Sequence, residues 1–356
     1  MISDLNLIKK NIPAELLDDE GFKQISGITE MLPANLSIFW GLECRLGSPV
    51  PKADVLFEIK KETGGIEILS GTKASCLDRL CTETPVWQRL RNFAAQWENP
   101  TCPFHSWIKN IWLEFDTEKI TKLKEAKQLI VEPSLFVGIR SKELSQNELD
   151  VVFRQALKVF AQPPENLKVI QQFAESIPRK SQIFQYGAML GRPTRDMRVC
   201  VNHLNLHDVP DWLKKINWPG DTDKLNDILN RIAPFTHATA VDLDISQHGP
   251  AGKIGIEIYL DLHNHKPEQW LPIIDLFANM DLCNPAKIKG LLEYPGISKI
   301  SHSAHNRSTD QKLALSLFRI IHHLKLTFNH DKTEEIKAYL AVYKPYIDLK
   351  EGWIQI

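Results

Sequence analysis

What this 356-residue sequence lacks removes several broad functional classes at once. Its formal net charge is only −1, with 43 Lys and Arg against 44 Asp and Glu. No global positive field exists to hold nucleic acid, so any phosphate site must be local. No stretch approaches the roughly 20 apolar residues of a membrane span, and the opening MISDLNLIKKNIPAELLDDE has no continuous apolar run of the signal-peptide kind. The expectation is a cytoplasmic protein with no nucleic-acid and no membrane partner. Six cysteines without a CxxC pair suggest neither a disulfide scaffold nor structural zinc. GxGxxG, P-loop, GxSxG and HExxH patterns are all missing, which takes the main support from dinucleotide, NTPase, hydrolase and zinc-protease readings. Without such a motif, His263, His265, His302, His305, His322 and His323 read as solvated loop or helix-end histidines. No Gly/Ser linker or low-complexity block divides the chain, so residues 1–356 read as one domain, with 1–35 a helical N-terminal segment.

What is present is a globular composition, 43% hydrophobic and 24% charged, with a repeated strand pattern. Period-two alternation predicts strand pairs at 36–45 and 54–60, 110–116 and 134–140, 182–190 and 197–204, 239–246 and 253–261, and 325–329 and 336–343. A further short strand is expected at 66–69. Helical spacing predicts helices at 84–97, 118–127, 146–160, 165–177, 209–216, 221–232, 267–280, 285–292 and 310–324, the first opened by Thr84-Pro85. Strands this close in sequence pair antiparallel, whereas a parallel sheet needs a crossover between each strand. The fold class is therefore α/β: an antiparallel barrel of about ten strands surrounded by helices, since a sheet of that size tends to curl or close.

Alternation also separates two faces. One is apolar: Ile38, Trp40, Leu42; Ile111, Leu113, Phe115; Leu135, Val137, Ile139; Val241, Leu243, Ile245; Ile256, Ile258; Ile336, Ala338, Leu340, Val342. It should meet the helices. The other mixes acids, bases and aromatics: Phe39, Glu43, Arg45, Trp112, Glu114, Phe136, Arg140, Arg198, Asp242, Asp244, Glu257, Tyr259, Lys325, Lys337, Tyr339 and Tyr343. Aromatics and glycines recurring beside the charges favour a ligand-holding lumen over a wet sheet surface.

Strand pairs alternating with helices around a polar, aromatic interior resemble the aromatic and peptide prenyltransferases of the PT-barrel or ABBA type, built from repeated α-β-β-α units. The local echo is Lys337-Ala338-Tyr339, similar to the Lys-x-Tyr strand motif of the indole prenyltransferases. The resemblance implies an allylic diphosphate donor held by cations, for which Arg45, Arg140, Arg198, Lys325 and Lys337 are the lumen candidates and Arg192 and Arg195 the reserve. It implies an aromatic shield around the allyl cation, drawn from Trp112, Phe136, Tyr186, Tyr259, Tyr339 and Tyr343. It implies a carboxylate beside a small-molecule or peptide acceptor, with Glu114 first and Glu257 as its competitor. Where the family repeats Lys-x-Tyr, this chain reads Glu257-Ile258-Tyr259, which leaves room for a cationic or Mg²⁺-bound ligand. The function expected is transfer of an isoprenoid unit in natural-product biosynthesis. The alternative is a non-catalytic peptide-binding or maturation protein using the same lumen.

Overall fold

Strands rich in β-branched and aromatic residues, each buried on its apolar face, pair with their sequence neighbours until the sheet meets itself. In the computed structural model, which describes residues 1–117, 131–190, 196–260, 266–306, 311–344 and 346–348, the strands are β1 (Phe39–Arg45), β2 (Ala53–Ile59), β3 (Ile108–Phe115), β4 (Ser134–Ile139), β5 (Gln182–Ala188), β6 (Met197–Asn202), β7 (Ala238–Ser246), β8 (Gly249–Tyr259), β9 (Gly296–Asn306), β10 (Gln311–Asn329), β11 (Lys332–Tyr343) and β12 (Tyr346–Asp348). Ten of the twelve form a closed antiparallel ring: β1 to β8 in sequence order, then β10 and β11, with β11 returning to β1 from Phe39↔Tyr343 to Arg45↔Lys337. β9 and β12 pair with the N-terminal part of β10 outside the ring.

Helices fill the gaps between strand pairs: α1 (Ile2–Ile8) and α2 (Asp19–Met31) before β1; α3 (Gly65–Ser70), α4 (Leu77–Glu83), α5 (Pro85–Glu98) and α6 (Phe104–Trp107) between β2 and β3; α7 (Gln146–Val159) and α8 (Asn166–Ser176); α9 (Val209–Lys215) and α10 (Thr222–Ile232); α11 (Leu271–Ala278) and α12 (Pro285–Glu293). Their starts are set by local chemistry. Thr84 caps α5 with Pro85 at its first position, and Ser145 and Glu148 form a capping box on α7. The apolar stripes of the helices close over the outward strand face in one core that includes Trp40, Phe57, Trp87, Phe93, Trp97, Leu113, Phe153, Leu243 and Ile256. The apolar-out, polar-in division read from alternation holds around the ring except at the register shifts in β5 and β10.

Two elements differ from expectation. Residues 66–69 form α3 rather than a strand; a short apolar run fits either state, and Gly64 (φ 74°) and Gly71 (φ 90°) turn the chain at both ends. Residues 311–324 belong to β10, a 19-residue strand, not to a helix. Their leucines satisfy both periods, and pairing with β8, β9, β11 and β12 decides for the strand. The helix expected at 118–127 and the turn arginines Arg192 and Arg195 lie outside the described residues, as do His263 and His265.

A bulge in β5 between Ile183 and Gln185 corrects one site expectation. Strict alternation carries Phe184 and Tyr186 to the same face. The extra residue puts Phe184 and Gln185 on the lumen and turns Tyr186 outward. There it is fully buried against Phe153 and Phe160, with ring centroids 5.6 and 6.0 Å away, so it belongs to the helix-side core and not to an aromatic shield. Its hydroxyl is buried with no hydrogen-bond partner among the described residues. Tyr186→Phe removes that orphan without changing the packing. It is expected to stabilise the protein by about 1 kcal/mol in denaturant unfolding and to leave ligand binding unchanged.

Candidate active site

The inward face encloses a cavity of about 500 Å³ lined by residues from nine of the ten ring strands, among them Glu58, Trp112, Glu114, Phe136, Arg198, Glu257, Tyr259, His323, Lys325 and Tyr339. Nine of the thirteen expected site residues thus line it: Glu114, Glu257, Arg140, Arg198, Lys325, Trp112, Phe136, Tyr259 and Tyr339. Arg140 stands at the mouth, half-exposed, 4.0 Å from Glu143. Tyr343 is on the same face but outside the lining, stacked between Phe39 and Phe318. Arg45 and Lys337 also lie off the cavity, in an ion-pair cluster on β1, β2 and β11.

That cluster is the first of two. Lys337 Nζ donates to Glu43 Oε1 at 2.6 Å, Tyr339 donates its hydroxyl proton to Glu43 Oε2, and Arg45 reaches Asp54 at 2.9 Å and Glu335 at 3.3 Å. Burial opposes the Glu43 charge, but Lys337 and these hydrogen bonds hold its pKa far below the ordinary carboxylate value. Glu43 is therefore an anchor and not a proton carrier. The second cluster spans β6, β7 and β10. Arg198 grips Asp244 with two hydrogen bonds of 2.8 and 2.9 Å and lies 3.3 Å from Asp242, while Lys325 is 2.8 Å from Asp242. Burial works against Lys325, yet Asp242 outweighs it and the lysine pKa is raised. Gly255, opposite Asp242 on β8, makes the pair sterically feasible, because any Cβ there would strike both Asp242 and Lys325. Each of the four inner cations expected to hold diphosphate thus already has a carboxylate.

Two carboxyls stand apart from the clusters. Glu114 has no hydrogen bond or ion pair among the described residues, and burial, followed by the nearby Glu43, pushes its pKa up to about 7. A half-buried carboxyl that titrates near neutrality can give or take a proton there. Glu257 accepts the Tyr259 hydroxyl at 2.5 Å and is likewise raised, chiefly by burial. Trp112 meets Phe39 edge-on at 5.7 Å and with Phe136 walls the cavity above Glu114. No three His, Cys, Asp or Glu side chains converge as a metal cage among the described residues.

His322 and His323 correct the reading of them as solvated helix-end residues. Both lie on β10, line the cavity, and are held neutral with pKa values lowered to about 3, first by burial. No motif announced them, and the misassigned helix hid them. His302 and His305 lie on β9, outside the ring. Asn110 and Glu58, hydrogen-bonded to each other on β3 and β2, and Gln185 on β5 are further lining residues the sequence did not single out.

Two outcomes follow. Lys325→Met leaves Asp242 buried beside Arg198 alone and is expected to cost about 3–5 kcal/mol in denaturant unfolding, with Asp242→Leu in the same chain recovering most of it. Because the Glu114 pKa is raised on folding, the folded state binds the extra proton, and the wild type loses stability as pH rises from about 4.5 to about 7. Glu114→Gln is expected to match the wild type below that window and exceed it in thermal stability above it.

No family model matches the chain, and no curated protein matches its sequence. Solved structures do share its architecture. Prenyltransferase PriB in its apo form superimposes with a TM-score of 0.58 at 11% identity, covering 96% of both chains. PriB in a ternary complex with L-tryptophan and dimethylallyl thiolodiphosphate gives 0.55, also at 11% identity and 96% of both chains. The 5-dimethylallyltryptophan synthase from Streptomyces coelicolor gives 0.54 at 11% identity, covering 96% of this chain and 97% of its own. With ten antiparallel strands closed inside a sleeve of helices, the chain has the PT-barrel fold of the ABBA prenyltransferases.

Proposed function

We propose that the protein is a prenyltransferase that moves an isoprenoid unit from an allylic diphosphate to an aromatic small molecule. The observation that carries this reading is one cavity lined together by the cations Arg198 and Lys325, the aromatics Trp112 and Phe136, and Glu114, a carboxyl with no hydrogen bond or ion pair among the described residues. These are the parts such a transfer requires. As the allylic C–O bond breaks, its electron pair leaves with the diphosphate, whose oxygens gain charge beside Arg198 and Lys325. The allyl cation lies against aromatic faces that attract it and exclude water. Glu114 accepts the acceptor's N–H or O–H, which makes the ring more electron-rich. The likeness to a structure holding L-tryptophan and a dimethylallyl thiolodiphosphate supports an aromatic acceptor and a short donor.

A second reading, a non-catalytic protein that holds a peptide or small ligand in the lumen, is favoured by the pairing of Arg45, Arg198, Lys325 and Lys337 with carboxylates. A diphosphate must compete with Asp242 and Asp244 for Arg198 and Lys325, whereas a neutral ligand displaces nothing.

Thermal unfolding with dimethylallyl, geranyl and farnesyl diphosphates, their thiolo analogues and inorganic pyrophosphate separates the two readings. A donor at 100 times its dissociation constant adds about 2.7 kcal/mol of stability. The transferase reading expects a shift selective for one prenyl length. It also expects Glu114→Gln to keep that shift while losing about 10²–10⁴-fold in turnover. No shift with any donor moves the assignment to the binding protein.

A further inference from the structure

β10 presents two adjacent histidines to the same side of the sheet, which a regular strand does not allow. Its register explains how. Ile321 lies opposite Leu340 and His323 opposite Tyr339, so His322 is an inserted residue and both rings reach the cavity. Bulges of this kind recur beside active sites because they re-aim side chains.

The rings are tightly held. His323 stacks on Tyr339 with centroids 4.1 Å apart and planes at 13°, and Tyr259 lies 4.9 Å away on β8. His322 packs edge-on to Phe39 and Tyr259. The two Nδ1 atoms are 2.8 Å apart, a contact that requires one N–H and one lone pair. The other His323 nitrogen, Nε2, is buried and has no hydrogen-bond partner among the described residues. Its nearest carboxylate oxygen, Glu257 Oε1, is 4.0 Å away, beyond hydrogen-bond reach, while Glu257 Oε2 holds the Tyr259 hydroxyl.

We propose that His322 and His323 form a dyad in which His323 Nε2 takes the ring proton released by the aromatic acceptor and His322, as a positioning residue, accepts the His323 Nδ1–H and so fixes the tautomer. This rests on the transferase reading above. Once the allylic carbon has bonded to a ring carbon, that carbon is tetrahedral and the ring is cationic. Breaking its C–H bond returns the electron pair to the ring and delivers the proton to the Nε2 lone pair, and no oxidant or reductant is involved. The new imidazolium lies flat on Tyr339 beside Glu257, both of which stabilise a cation. It later gives the proton to water as the product leaves.

The charged groups around His323 are Lys325 on its own strand, Glu257 on β8, Glu43 on β1 and Asp242 on β7. Burial and then Lys325 keep the ring neutral, so its lone pair is available at neutral pH. A cationic ring intermediate is a far stronger acid than an imidazolium, so even a weak base suffices. Glu114 remains free for the acceptor's heteroatom.

The test uses ring-deuterated L-tryptophan and ring-deuterated 1-naphthol with dimethylallyl and geranyl diphosphates. His323→Asn retains a donor for His322 but lacks Nε2. It is expected to keep KM, to lose about 10²-fold in kcat, and to reveal a primary deuterium isotope effect absent from the wild type, because proton loss becomes rate-limiting. His322→Phe should show the same effect with a smaller fall. A His323→Asn variant that turns over at the wild-type rate, or slowly without an isotope effect, overturns the dyad. If the wild type transfers no prenyl group to either acceptor, the transferase reading fails by itself. Histidine-¹⁵N NMR then decides the dyad: a neutral His323 with its proton on Nδ1 from about pH 5 to about pH 8 sustains it, and a proton on Nε2 or a protonated ring at pH 5 overturns it.

Discussion

Closure of the ring is the constraint on which the rest of the structure depends. Once β11 pairs back to β1, the inward side chains of the ring strands are turned toward a common interior, and each charge buried there must find a partner or change its protonation. Both solutions are visible. Arg45, Lys337, Arg198 and Lys325 are matched by Glu43, Asp54, Glu335, Asp242 and Asp244. Glu114, His322 and His323 hold no charge-assisted hydrogen bond and shift toward their neutral forms instead, chiefly through burial. The same enclosure that makes these groups costly to the fold is what makes them useful for proton transfer.

The lumen is also a product of defects in its strands. Without the bulge in β5, Tyr186 would join Phe184 inside; without the one in β10, only one of the two histidines would reach the cavity. A single inserted residue changes which face a side chain occupies, so two local irregularities set much of the chemistry available to the interior. Glycine acts in a complementary way at Gly255, where the absence of a side chain leaves room for Lys325 to reach Asp242 across the ladder.

The outer layer has less chemistry and more packing. Fully buried Trp40, Trp87 and Trp97, with Phe57, Phe93 and Phe115, join the outward strand face to α5 and its neighbours. Lys287 on α12 is an exception: it donates to the carbonyls of Arg45 and Val50 at 2.8 and 2.7 Å and ties the end of β1 to the helical layer. Such a contact fixes the position of the ion-pair cluster that Arg45 serves.

The sequence by itself determined the antiparallel pairing of β1 to β8, the helical identity of α5 and α7 to α10 between them and the division into apolar and polar faces, because each depends on periodicity within a few residues. That is why Trp112, Glu114, Phe136 and Glu257 were legible as inward residues. Only the tertiary structure decided that 311–324 is a strand, that Tyr186 points outward, that the histidine pair lies in the lumen and that each inner cation already has its carboxylate. Those outcomes depend on which strand lies alongside and in what register, and neighbours far apart in sequence leave no local pattern by which to read them.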